Sequence, residues 1–128
     1  MIFLDTSVAL AQLLAEDRYP PASLWDKTIV ASRVLEYELW NAIHRRALLG
    51  THGTAVVQFV QSIAFAELTR ETLRRATEPF PHGVRTLDAL HLATILFLRD
   101  QGMDLSLASY DERMIDSATA LEIPLAEC

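Results

Sequence analysis

The sequence predicts an α/β protein, a three-layer α/β/α sandwich around a short parallel sheet. Short apolar runs, Ile2-Phe3-Leu4, Thr28-Ile29-Val30-Ala31 and Leu105-Ser106-Leu107-Ala108, alternate with longer helical stretches. Apolar strands in that arrangement need cover on both faces, which a parallel sheet between two helix layers supplies. Length and composition agree. With 128 residues, 51% of them hydrophobic, the chain is expected to form one domain over residues 1–128. The only cysteine is Cys128, so the fold must hold without an intrachain disulfide.

The elements follow in order. Ile2-Phe3-Leu4 is the first strand, and Asp5-Thr6-Ser7 is a helix-capping run ahead of a helix over residues 8–16. Pro20-Pro21 breaks that helix, and a short one passes through Leu24 and Trp25. After the strand at 28–31, Ser32 is placed to cap a helix over 34–49 that stops at Gly50. Val56, Phe59, Val60 and Ile63 form a helical apolar stripe. Residues 67–77 read as a charged helix with a solvated arginine face, Glu71 facing Arg74 and Arg75. Residues 79–83 form a loop, and Thr86 caps a buried helix over 87–99. The strand at 105–108 precedes a helix over 112–121, and Ile123-Pro124-Leu125 is a short edge strand. No repeat or low-complexity tract interrupts the series.

Seventeen acids against eleven bases give a formal charge of −6 and a pI near 5.1. A broad basic nucleic-acid-binding surface is therefore excluded. The longest nearly apolar stretch, residues 89–98, is about half a membrane span and contains His91 and Thr94. The start has no basic region of a leader peptide, so a cytoplasmic protein without membrane association is expected.

Ligands of parallel α/β sheets sit beyond the carboxyl ends of the strands. Asp5 directly follows the first strand, Asp111 stands three residues after the third, Asp88 lies in the first turn of the buried helix, and Glu38 in the second turn of the helix after the second strand. A parallel sheet brings all four to one rim. Each has an ordinary alternative as a helix cap or a first-turn acid facing the helix dipole. Asp88 is hardest to explain that way, because the helix it opens continues Ala-Leu-His-Leu-Ala-Thr-Ile-Leu, and a carboxylate there needs a partner or a cation. Glu36 competes with Glu38, yet two residues along a helix place them about 200° apart, with Glu38 on the side of Leu39-Trp40-Asn41-Ala42.

Clustered carboxylates repel one another, and a hard divalent cation relieves the repulsion. All-oxygen donors suit Mg²⁺ or Mn²⁺, whose natural work is phosphodiester hydrolysis. Rival strand-end chemistries lack their parts. A receiver domain needs an acidic pair and a late lysine, but Lys27 is the only lysine. An Asp-x-Asp phosphatase needs an acid where Ser7 stands, and neither a Gly-rich phosphate loop nor a Gly-x-Ser-x-Gly elbow is present.

The ordered set Phe3-Leu4-Asp5-Thr6-Ser7, Ser32 with Glu38-Leu39-Trp40-Asn41-Ala42, Leu87-Asp88-Ala89-Leu90-His91-Leu92-Ala93 and Ser109-Tyr110-Asp111-Glu112-Arg113 spans nearly the whole chain. In these residues the sequence resembles the PIN-domain nucleases, and within them the VapC-like ribonuclease toxins of toxin–antitoxin pairs. The resemblance implies an α/β/α sandwich and a Mg²⁺- or Mn²⁺-dependent endoribonuclease with Asp5, Glu38, Asp88 and Asp111 as catalytic metal ligands. It implies supporting hydroxyls at Ser7 and Ser109, the latter in place of the more frequent threonine. It further implies an RNA substrate, a cognate antitoxin and a homodimer. A non-catalytic PIN-like protein-interaction module is the alternative, and a structure-specific DNA nuclease would need guiding segments for which the chain has little room.

Other residues carry less. His91 follows Asp88 by three positions on the same helix face but reads as a hydrogen-bonded core histidine. His44, His52 and His82 have no ligand spacing. Arg45 and Arg46 suit a helix C-terminus as well as an RNA phosphate. Trp25 and Trp40 fit core packing as well as an interface.

Overall fold

The computed structural model describes all 128 residues. Four strands, β1 (Ile2–Leu4), β2 (Ile29–Ser32), β3 (Ala64–Ala66) and β4 (Ser106–Ala108), form one sheet in the order β3-β2-β1-β4. Every pairing is parallel. All four carboxyl ends therefore lie along the same edge. The helices are α1 (Thr6–Leu14), α2 (Val34–Arg45), α3 (Leu49–Gln61), α4 (Arg70–Ala76), α5 (Thr86–Asp100) and α6 (Glu112–Ala120), with a turn of 3-10 helix at Ala22–Asp26.

Alternation along the strands divides the core in two. Ile2, Leu4, Ile29 and Ala31 face a layer built from Val8, Leu24, Leu35, Leu39, Ile43 and Val56 of the helices from α1 to α3. Phe3, Val30 and Leu107 face Leu92, Ile95 and Leu98 of α5 and Met114 and Ala118 of α6. Two helix layers on a parallel sheet is the expected α/β/α sandwich.

Several elements depart from the sequence expectation. The helix expected over 34–49 ends at Arg45, and Gly50 lies inside α3 rather than stopping α2. The stop is at Ala47, whose φ of 54° is left-handed. The Leu48 N–H donates to the Ile43 carbonyl at 2.9 Å and the Ala47 N–H to the His44 carbonyl at 3.1 Å. Those two bonds form a Schellman closure with alanine where glycine is usual.

The strand β3 was not expected. Its Ala-Phe-Ala sequence lacks β-branched residues, and only the β2 edge of the sheet gives it a partner. The charged helix is correspondingly shorter, starting at Arg70 behind Thr69, whose Oγ1 accepts the Thr72 N–H at 3.1 Å. Arg75 pairs not with Glu71 but with Glu78 at 3.9 Å, and its guanidinium lies 4.1 Å from the centre of the Phe80 ring. Thr86 is the first residue of α5 and caps nothing with its side chain, Arg85 taking the cap position. The expected edge strand at 123–125 is reduced to one parallel bridge, Leu107 with Leu125. Pro124 has no N–H with which to extend it.

Candidate active site

The four predicted acids line one cleft of about 440 Å³ at the carboxyl edge of the sheet, with Thr6, Ser7, Leu10, Arg85, Thr86 and Leu87. The strand-end argument thus brings together all the residues it named. Larger hollows flank it, one sharing Arg85 and Thr86, another sharing Ser7 and Leu10.

Asp5 is nearly buried, at 4% exposure, in the cap position of α1. Its carboxylate caps nothing. Oδ2 instead accepts the hydroxyls of Ser7, at 2.5 Å, and Ser109, at 2.8 Å. Both hydroxyls have their acceptor side occupied by the loop after β4: the Tyr110 N–H donates to Ser7 Oγ at 2.9 Å, and the Asp111 N–H to Ser109 Oγ at 3.0 Å. That arrangement leaves each O–H to point at Asp5 and chains the bonds cooperatively. Sequence alone could not show that the two serines meet at one oxygen.

Asp111 takes the first of the two roles weighed for it and keeps an oxygen free for the second. It is the cap of α6, its Oδ1 accepting the N–H groups of Arg113 at 3.0 Å and Met114 at 3.4 Å. The other oxygen makes no hydrogen bond within the protein and belongs to a residue of the cleft wall.

Asp88 occupies the first turn of α5, half-buried and without a hydrogen-bonding side-chain partner. Burial, then the negative charges of Asp111 and Asp5, push its carboxyl up to about 6, against the pull of His91. That displacement reflects burial first and the neighbouring acids second.

Glu38 is held at one oxygen. Its Oε1 accepts the Thr6 hydroxyl at 2.9 Å and lies 2.6 Å from His91 Nε2. Basic groups are therefore present among the acids: His91 touches Glu38, and Arg85 lines the wall. Reading His91 as a hydrogen-bonded core residue was right about its burial and silent about its partner. The three-residue spacing was the signal that placed it on the same face of α5 as Asp88. Nothing in the sequence marked Arg85, and Thr6 stood out only as a member of the capping run Asp5-Thr6-Ser7, with no partner assigned. His91 is fully buried, and burial alone lowers its pKa, but the Glu38 hydrogen bond and the charges of Asp5, Glu38 and Asp88 leave it raised.

In donor chemistry the cleft fits a hard divalent cation: four carboxylates, all oxygen, three of them with an oxygen free of protein hydrogen bonds and Asp88 with both. No three of these acids stand close enough to form a ready cage. Of the remaining candidates, Trp25 packs edge-on to Phe59, with ring centres 5.5 Å apart, and donates its Nε1–H to Gln12. Trp40 stacks on His44 at 6.0 Å. No helix is long and apolar enough to cross a membrane.

Comparison with known proteins adds three findings. The family model described as "PIN domain" matches residues 2–119. The chain is similar in structure to VapC20 of Mycobacterium tuberculosis, a sarcin–ricin loop cleaving toxin, with a TM-score of 0.70 and 17% identity over 100% of both chains. It is also similar to a chain of a toxin–antitoxin complex from Klebsiella pneumoniae, with a TM-score of 0.57 and 15% identity over 87% of each chain. No curated protein matches it in sequence.

Proposed function

Because the chain belongs to the PIN-domain family, we propose that it is a cytoplasmic, metal-dependent endoribonuclease that hydrolyses RNA phosphodiester bonds as the toxin of a toxin–antitoxin pair. The observation that carries the proposal is the state of Asp5. A carboxylate in a helix-cap position leaves the helix uncapped and is held by two hydroxyls among three further acids. A merely structural aspartate there would bond the backbone N–H groups beside it. The two toxin-related neighbours share this fold and supply the toxin reading.

Asp5, Glu38, Asp88 and Asp111 are the residues that would hold Mg²⁺ or Mn²⁺. Bound there, such an ion supplies an activated water and offsets charge at the phosphodiester. The chain's own contribution is positional. Ser7 and Ser109 fix Asp5, the α6 backbone fixes Asp111, and Thr6 with His91 fixes Glu38. Asp88, its carboxyl raised to about 6, is the ligand whose ionisation would make cation binding weaken as pH falls below that value. Arg85 stands on the same wall, suited to a phosphate oxygen. An antitoxin with basic residues would match the same acidic cleft, and likeness to the family supports a homodimer, which a monomer mass in light scattering of the purified chain would overturn.

RNA cleavage in Mg²⁺ or Mn²⁺ is the decisive assay, run beside Asp5→Asn and Asp88→Asn. Both variants should lose most of the parent rate, by about a hundredfold or more if each carboxylate directly stabilises the transition state. Folded variants that cut as fast as the parent refute the proposal. Absence of any cation-dependent rise in melting temperature would favour the non-catalytic module instead.

A further inference from the structure

His91 is a costly residue to bury where it is. It is fully buried beneath β1, with the Phe3 ring edge-on to it at 6.4 Å. Its Nε2 has one close partner, Glu38 Oε1 at 2.6 Å, and a longer approach of 3.4 Å to Thr6 Oγ1. Its Nδ1 has none. A carboxylate oxygen only accepts, so Nε2 carries a proton and donates it to Glu38 whether the ring is charged or neutral. Leucine would fill the same apolar surroundings with no orphaned nitrogen. The imidazole must therefore serve the carboxylate it touches.

Glu38 reaches the cleft on a side chain with three rotatable bonds from the second turn of α2. Thr6 and His91 approach from α1 and α5, and both grip Oε1. The grip removes the freedom of the side chain and leaves Oε2 without a protein hydrogen bond.

We propose that His91 is a positioning residue of the cleft, donating through Nε2 to Glu38 Oε1 so that Oε2 is presented to a divalent cation. The inference rests on the cation-binding reading above and assigns a residue that acts through Glu38 without touching the ion or the RNA. Partners of this kind behind a metal ligand typically change affinity by about 10- to 100-fold.

Calorimetric titration of Mn²⁺ tests it with no cleavage involved. His91→Leu should bind Mn²⁺ at least about tenfold more weakly than the parent. His91→Gln, whose side-chain amide offers a donor at similar reach, should recover most of that loss. In a Glu38→Gln background, His91→Leu should cost nothing further. A folded His91→Leu protein that binds like the parent overturns the proposal, and so does His91→Gln binding as weakly as His91→Leu, or an undiminished loss in the Glu38→Gln background. Should His91→Leu fail to fold, the parent still decides the matter. On Mg²⁺ addition the Nε2-bound proton of His91 should shift in the nuclear magnetic resonance spectrum, and an unmoved signal refutes the role. A parent protein that binds no cation overturns the cation reading itself, and this inference with it.

Discussion

At the scale of single residues, the cleft is set by what each carboxylate gives up. Asp5 gives up helix capping, and Asp88 gives up solvation without gaining a partner. The Asp88 carboxyl is raised from 3.8 to about 6, so the folded chain holds that proton more tightly than the unfolded chain does. The resulting stabilisation is fully present below the ordinary value and is lost as pH rises through about 6. The full shift corresponds to about 3 kcal/mol. Half-exposure to screening solvent reduces the expected effect to about 1 kcal/mol. In EDTA at pH 7.5, Asp88→Asn should therefore be more stable than the parent by about that amount, with the gap closing toward pH 4. Urea unfolding at both pH values measures it, and a gap that does not change with pH defeats the explanation. Ser109 supplies a second expectation. Ser109→Ala removes a hydroxyl from Asp5 and strands the Asp111 N–H, a loss of about 1–3 kcal/mol, whereas Ser109→Thr keeps both bonds and most of the stability. Equal stabilities for the two variants would show that the bonds contribute nothing.

At the scale of elements, the helix ends separate what was legible in the sequence from what was not. Strand β1 and helix α5 were readable because continuous apolar residues leave a buried segment few alternatives. The end of α2 was not, because glycine is the usual sign of a left-handed closure and Ala47 takes that conformation instead. Gly50, the nearest glycine, lies within α3. Left-handed alanine costs about 1–2 kcal/mol, part of which glycine returns through the entropy of its unfolded chain. Ala47→Gly should accordingly stabilise the protein by about 0.5–1 kcal/mol. Thermal unfolding checks this, and a lowered melting temperature would mean that the closure is not strained. The site was legible for a related reason. A parallel sheet has one carboxyl edge, so Asp5, Asp111 and the early turns of α2 and α5 had to meet there. What stayed hidden were contacts across elements: Ser7 and Ser109 meeting at one oxygen, and His91 behind Glu38. Their partners lie 2, 104 and 53 residues away in sequence, and no periodicity spans the longer gaps.

For the whole molecule, the charge of −6 becomes a statement about one edge of the sheet. With the four cleft acids set aside, the remaining thirteen acids nearly balance the eleven bases. The acidity that excluded a broad basic binding surface therefore does not exclude RNA from a cleft whose charge a cation offsets. It makes RNA binding conditional. In EDTA the phosphates meet four carboxylates, with Arg85 the one arginine on that wall. A divalent cation should reverse the balance, so a short fluorescent RNA should bind weakly in EDTA and at least about tenfold more tightly with a cation that supports binding but not cleavage, such as Ca²⁺. Each tenfold step corresponds to about 1.4 kcal/mol, modest for charge neutralisation at a half-buried site. Arg85→Ala should weaken RNA binding in Ca²⁺ and flatten its dependence on salt by about one phosphate contact. The same substitution should leave Mn²⁺ affinity unreduced, because it removes a positive charge from the ion's surroundings. Fluorescence anisotropy across a salt series separates these effects. RNA held as tightly in EDTA as in Ca²⁺ would show that the grip lies outside the acidic cleft, and the charge of the molecule would then need a different explanation.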